Sequence, residues 1–238
     1  MMHLFSDPKT LLYAILGGGF PAVFWLWFWL KEEDEGHREP RGLIVLTFLV
    51  GAIMVLVAVW AEKYSTEFVT GHTSQVIVWA AIEEILKLIG VGLIFAGTNV
   101  IDEPIDYPMY FIACALGFAA LENILYLLHP LQVNGTIVGI LTGNLRFLGS
   151  TLLHLIASSM IGSALGLAYY IKNYKIPYML CGLVCAIVLH SIFNFFIMKG
   201  SGENFLSVFG FLWVVAIITI LIFEKLKRMG AEGQVPLT

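Results

Sequence analysis

Four short stretches place ionisable and amide side chains inside otherwise apolar runs. AAIEEILKLIG at 80–90 carries Glu83, Glu84 and Lys87, and FAALEN at 118–123 carries Glu122 and Asn123. RFLGSTLLHLIASS at 146–159 carries Arg146 and His154, and HSIFN at 190–194 carries His190 and Asn194. These are the groups that hydrolysis of a peptide bond requires: a base for the proton of water, and donors for the oxyanion that follows its attack. They are also costly to hold in an apolar medium. A charge near the centre of a bilayer costs roughly 2.5–3.5 kcal/mol on insertion scales, so it faces a protein interior or a water-filled cavity.

Helical spacing decides which of them share a face, because residues four apart are neighbours. His190 and Asn194 point the same way, as do Ser150, His154 and Ser158, and Phe118 and Glu122. Glu83 and Glu84 are about 100° apart and do not both face one cavity squarely. Lys87 lies at i+4 from Glu83 and i+3 from Glu84, so it offsets one carboxylate and leaves the other for chemistry. A desolvated carboxylate is a stronger base than a solvated one, and Glu83 is the base expected here, with Glu84 and Lys87 in support. A purely structural Glu84–Lys87 ion pair is an equal alternative. His190 and Asn194 are expected to bind the oxyanion, and His154 with Glu122 to hold the water or a metal. Arg146, near one mouth of the site, binds substrate or snorkels to the interface. Asn123 contacts substrate or, on the plainer reading, hydrogen-bonds between helices.

No HExxH motif is present, so a metal site has to assemble across helices, from Glu122, His154 and His190. Two histidines and one carboxylate with an open fourth position form a catalytic zinc set. Zn²⁺ is the cofactor such a set would take, and a metal-free glutamate mechanism is the alternative.

The elements that must position these residues are long apolar helices. Of 238 residues, 59% are hydrophobic and 13% charged, with a mean hydropathy of +0.87. A soluble domain carries about 25% charge. Roughly 20 apolar residues span a bilayer as a helix, and about seven such segments can be marked: approximately 10–30, 42–62, 72–96, 108–128, 143–171, 177–198 and 205–226. The expected fold is an all-α polytopic helical bundle in one domain over 1–238, with its catalytic core at about 72–198. There is no internal repeat and no low-complexity segment, and nothing suggests nucleic-acid binding.

The first segment lacks a basic leader and a small-residue cleavage site, so it reads as a span and not as a signal peptide. Gly17–Gly19 and Pro21 are expected to kink or thin it, and Trp25, Trp27 and Trp29 to form an interfacial belt. Lys31, Arg38, Arg41, Lys172, Lys175, Lys225, Lys227 and Arg228 fall on one side of seven spans, against Lys9, Lys63 and Lys199 on the other. The positive-inside rule then puts the N-terminus outside and the C-terminus in the cytoplasm. Counted from the outer edge, Glu83 lies roughly 11 residues deep, Glu122 about 6, and His154 and His190 about 9, or roughly 9–17 Å at the rise of a helix. All four can meet at one level. Cys114, Cys181 and Cys185 read as small core residues, His72 and His129 as interfacial, and the tail from Gly230 as disordered.

In order and spacing, EEILK, GFAALENILY, the histidine of LLHLIASSMIG and HSIFN resemble the PrsW family of intramembrane proteases, within the larger superfamily of CAAX prenyl endopeptidases and bacteriocin-immunity (Abi) proteins. The resemblance covers about residues 79–195. It matches the superfamily's paired glutamates to Glu83 and Glu84, and its closing His and Asn to His190 and Asn194. CAAX endopeptidases carry a His four residues after a Phe where this chain has Glu122, which fits PrsW and argues against a prenyl-protein substrate. The resemblance implies an endopeptidase of a prokaryotic plasma membrane, with Zn²⁺ as the expected cofactor. It would cut a single-span membrane protein, an anti-sigma-factor-like regulator, near the outer face. The rival readings are a proton or cation transporter using the same Glu/His cluster, and a non-catalytic immunity or binding protein in contact with membrane lipid.

Overall fold

The computed structural model describes residues 7–31, 39–133, 149–199 and 205–233. Among them the chain forms seven helices: α1 (Pro8–Leu30), α2 (Arg41–Ser65), α3 (His72–Gly97), α4 (Asp106–Val133), α5 (Ser150–Leu167), α6 (Lys175–Lys199) and α7 (Phe205–Gly233). A single 3₁₀ turn, Lys172–Tyr174, precedes α6. The apolar segments read from the sequence coincide with these helices to within a few residues at most ends. The fifth begins at Ser150 among the described residues, positions 143–148 lying outside them. The tail from Gly230 was expected to be disordered, but α7 continues through Gly233, since nothing in LKRMGAEG breaks a helix before that point.

Local chemistry sets the ends. Asp7 caps α1 by accepting hydrogen bonds from the backbone N–H groups of Lys9 and Thr10, each at 3.2 Å, with Pro8 in the first turn where its missing N–H costs nothing. Gly71 precedes α3 at φ +98°, a conformation that favours glycine. Asp106 accepts from the backbone N–H groups of Asp102 (2.9 Å) and Glu103 (2.7 Å), closing the turn into α4. Glu39 joins the same end, hydrogen-bonded by the Tyr110 hydroxyl, and burial pushes its carboxyl above the ordinary range.

Six of the seven helices are long and apolar enough to cross a membrane, and the exception, α3, is as long as they are but carries Glu83, Glu84 and Lys87 together. The chain is thus an integral membrane protein built as a helical bundle. Within it α4 and α5 are central: 72% and 78% of their spanning windows are buried, against 22–33% for α1, α2, α6 and α7. The outer helices turn large apolar side chains such as Phe20, Ile53, Trp60, Val184 and Leu221 outward, as a lipid-facing surface requires.

Close packing against α4 depends on glycine. A Cβ on Gly51 of α2 would stand 1.9 Å from the Cys114 carbonyl oxygen, and one on Gly117 of α4 would stand 1.8 Å from the Phe48 carbonyl oxygen. The two backbones therefore touch, as small residues allow in membranes. Gly18 does the same for α1, where a Cβ would meet the Ile124 nitrogen at 2.5 Å. Of the glycines expected to kink or thin α1, Gly18 lets it approach the α4 backbone, and Pro21 lies inside the helix without ending it. Two expectations are corrected. Trp29 is no belt residue, being buried against Phe223 of α7 with ring centroids 4.7 Å apart, while Trp27 is 52% exposed. Cys181 and Cys185 are exposed, because Ala186, Leu189, His190 and Phe193 take the inward face of α6. Cys114 is buried as expected, and His72 and His129 are exposed.

Candidate active site

The charges of α3 are tolerable because none meets lipid: Glu84 and Lys87 are fully buried and Glu83 nearly so. They point at α4, α5 and α6, whose polar residues arrive at the same level. Glu84 is the hub. Its Oε1 accepts from Lys87 Nζ at 2.7 Å and from His190 Nδ1 at 2.8 Å, and its Oε2 accepts from the Ser158 hydroxyl at 3.0 Å. A buried carboxylate so completely surrounded by donors is held in one place.

Lys87 reaches further. Its Nζ lies 2.7 Å from His154 Nδ1 and 4.6 Å from the centroid of the Phe118 ring. The other nitrogen of His154, Nε2, lies 2.8 Å from Glu122 Oε2. An ammonium has no acceptor, so His154 Nδ1 accepts from Lys87 and Nε2–H donates to Glu122. Likewise His190 donates Nδ1–H to the Glu84 carboxylate, which leaves its Nε2 with a free lone pair. The two imidazoles stand edge to face, centroids 5.0 Å apart.

Glu83 is different in kind. Its Oε2 is buried and has no hydrogen-bond partner, yet it lies 3.8 Å from His154 Nδ1, 3.8 Å from His190 Nε2 and 3.9 Å from Lys87 Nζ. Lys87 is therefore the partner of Glu84, and Glu83 is the uncommitted carboxylate. Glu83, His154 and His190 each offer a ligand atom, all within 4.8 Å of one another. The carboxylate that converges with both imidazoles is thus Glu83, where the sequence pointed to Glu122; Glu122 is engaged at the far nitrogen of His154.

The remaining expected residues divide. Asn194 lies one turn beyond His190, half-buried, and among the described residues its amide has no hydrogen-bond partner. Asn123 does not offer itself to a substrate: it is fully buried and donates Nδ2–H to Thr151 Oγ1 at 2.9 Å, tying α4 to α5. Arg146 lies outside the described residues. Two participants had no assigned role. Ser158 was legible only as a neighbour of His154 at i+4. Glu62, half-buried near the end of α2, lies close enough to Glu122 and Glu83 to interact with them through its charge; in the sequence, AEKYS reads as an ordinary span terminus. A second acidic group, Glu39, Asp102 and Asp106, gathers at the start of α2 and α4. Within it, Asp106 closes the turn described above.

Comparison with known proteins bears on this geometry. A family model described as the PrsW family intramembrane metalloprotease matches residues 39–222. The chain is similar to Protease PrsW of Oceanobacillus iheyensis, 29% identical over 216 residues that cover 87% of this chain and 94% of the relative. It is also similar to Protease PrsW of Geobacillus kaustophilus, 27% identical over 79% of this chain and 81% of the relative. Protease PrsW of Clostridioides difficile is 25% identical over 72% of this chain and 74% of the relative. No solved structure matches the chain.

Proposed function

Because the chain belongs to the PrsW family of intramembrane metalloproteases, we propose that it hydrolyses a peptide bond of a membrane-anchored protein at the cluster built around Glu83. That it is an intramembrane protease follows from the family; the assignment of roles rests on one observation, the buried Glu83 Oε2 that has no hydrogen-bond partner and faces two imidazoles.

Glu83, His154 and His190 fit a zinc ion. A tetrahedral site with bonds of about 2.0–2.2 Å sets its donor atoms roughly 3.4 Å apart, close to the 3.8 Å between Glu83 Oε2 and each imidazole nitrogen. The orphaned oxygen is what such a site would engage. When bound, zinc lowers the pKa of a water to about 7 and polarises the scissile carbonyl. His190 suits a ligand better than an oxyanion donor, since the hydrogen bond of Nδ1 to Glu84 leaves only a lone pair on Nε2. The amide of Asn194, one turn from His190, is then the donor for the oxyanion.

In the proton chemistry, a carboxylate takes the proton of water as its oxygen bonds to the carbonyl carbon. It returns that proton to the amide nitrogen as the C–N bond breaks. Glu83 does this in a metal-free site. Where Glu83 serves as a ligand, Glu122 is the remaining carboxylate, with a side chain 31% exposed and already accepting from His154. Chelation of the purified protein should abolish cleavage of a single-span substrate, and added Zn²⁺ should restore it. Full activity in metal-free protein would leave the glutamate mechanism alone.

The substrate we propose is a single-span membrane protein of the anti-sigma-factor type. It would be cut near the outer face of a prokaryotic plasma membrane, with the N-terminus of this chain outside and its C-terminus in the cytoplasm. The basic residues of the connections support that orientation. In a cysteine-free background, a cysteine at Thr70 should react with an impermeant thiol reagent added to intact cells, and one at Asn173 should not. The reverse pattern would invert the topology and move the cut to the cytoplasmic side.

A further inference from the structure

The position of Lys87 has a consequence for metal binding. Three groups that could ligate a cation already surround its ammonium: Glu84 Oε1 and His154 Nδ1 at 2.7 Å each, and Glu83 Oε2 at 3.9 Å. Of the three atoms that would hold a metal, Glu83 Oε2 makes no hydrogen bond and His190 Nε2 keeps its lone pair because Nδ1–H is the donor to Glu84, but His154 Nδ1 is the acceptor of Lys87. One lone pair cannot serve both. His154 cannot offer Nε2 in its place without giving up Glu122.

We propose that Lys87 controls metal loading: its ammonium and a metal ion compete for one atom, Nδ1 of His154. This deepens the metalloprotease reading and rests on it. In the lysine-bound state the chain's own cation holds His154 as the Nε2–H tautomer, with Glu84 and Glu122 each supplied with a donor. In the metal-bound state Lys87 withdraws from His154 and keeps only Glu84. The site thereby avoids leaving two carboxylates and two imidazoles without a cation in a buried setting, where an unpaired charge is costly. Lys87 is on this account a positioning residue, acting on the reaction through His154.

Removing the lysine alone would also leave Glu84 unpaired and attract any cation by charge, so the informative variant removes both. Lys87→Met/Glu84→Gln leaves net charge unchanged, and the glutamine carbonyl can still accept from His190 Nδ1–H. Zinc affinity of the stripped protein in detergent, measured by competition with a chromophoric chelator, should be at least tenfold tighter in this double variant than in the wild type. Zinc X-ray absorption should report two imidazole ligands. Equal affinity in both proteins, lost in both on His190→Ala, would overturn the competition while leaving the metal reading intact. Zinc binding by neither, with cleavage persisting, would remove metal and competition together and leave the protease. A second measurement needs no variant: in metal-free wild type, ¹⁵N-histidine spectra should show His154 protonated at Nε2. Protonation at Nδ1 would be incompatible with Lys87 as its donor.

Discussion

Glu83→Gln should lower the rate of substrate cleavage by about 10²–10⁴-fold, the usual contribution of a positioned proton acceptor, and leave the fold unchanged. The two halves of this expectation come from the same fact. Glu83 Oε2 makes no hydrogen bond, and its nearest cation, Lys87 Nζ, is 3.9 Å away and already satisfied at 2.7 Å by Glu84. An isosteric amide at this oxygen therefore breaks no hydrogen bond between helices. It does remove the anionic oxygen that faces His154 and His190, whether that oxygen acts as base or as ligand. Cleavage of a single-span substrate in proteoliposomes, with thermal unfolding of the same preparation, checks both halves. Near-normal cleavage would eliminate Glu83 from the chemistry.

Glu84→Gln should do the opposite, unfolding the protein before its chemistry can be judged. Glu84 accepts from Lys87, His190 and Ser158, and both it and Lys87 are fully buried. Replacing one partner of a buried ion pair strands the other charge, at a cost of about 3–5 kcal/mol. The expected result is a large fall in melting temperature and in the yield of folded protein. Adding Lys87→Met should recover most of the loss, because the stranded charge is then gone. Such recovery in a double-mutant cycle would identify the pair as the origin of the effect; a Glu84→Gln protein as stable as wild type would show that the pair is not needed.

The contrast between two adjacent glutamates marks where the sequence stopped being informative. The helices were legible because each is a long apolar run, and the site because ionisable residues inside such runs have nowhere else to face. Spacing put Ser158 beside His154, Phe118 beside Glu122, and Lys87 within reach of both glutamates. It could not show which glutamate Lys87 takes, since either lies within one turn and the choice depends on the direction from which α5 and α6 present their histidines. Glu122 looked like a ligand for the same reason: its helix and depth were right, but only the rotation of α4 decides that it meets Nε2 of His154 and not the space beside Glu83. Glu62 at the end of α2 looks like any charged residue at a span boundary. Trp29, Cys181 and Cys185 were misjudged because the burial of a residue in a mostly apolar helix depends on which neighbour covers it, and apolar periodicity is weak where every face is apolar.

The wide separation of the hub's partners along the chain bears on how this protein enters the bilayer. α3 brings its three charges into the membrane region early in synthesis, yet His154 follows Lys87 by 67 residues and His190 follows Glu84 by 106. Until those helices emerge, α3 is a poor transmembrane segment, each charge costing roughly 2.5–3.5 kcal/mol to insert. Its stable seat in the lipid thus depends on segments translated later, and insertion of α3 is completed by assembly instead of preceding it. A nascent chain that ended before Lys175 would contain five of the seven helices and still lack His190, which helps to secure the third.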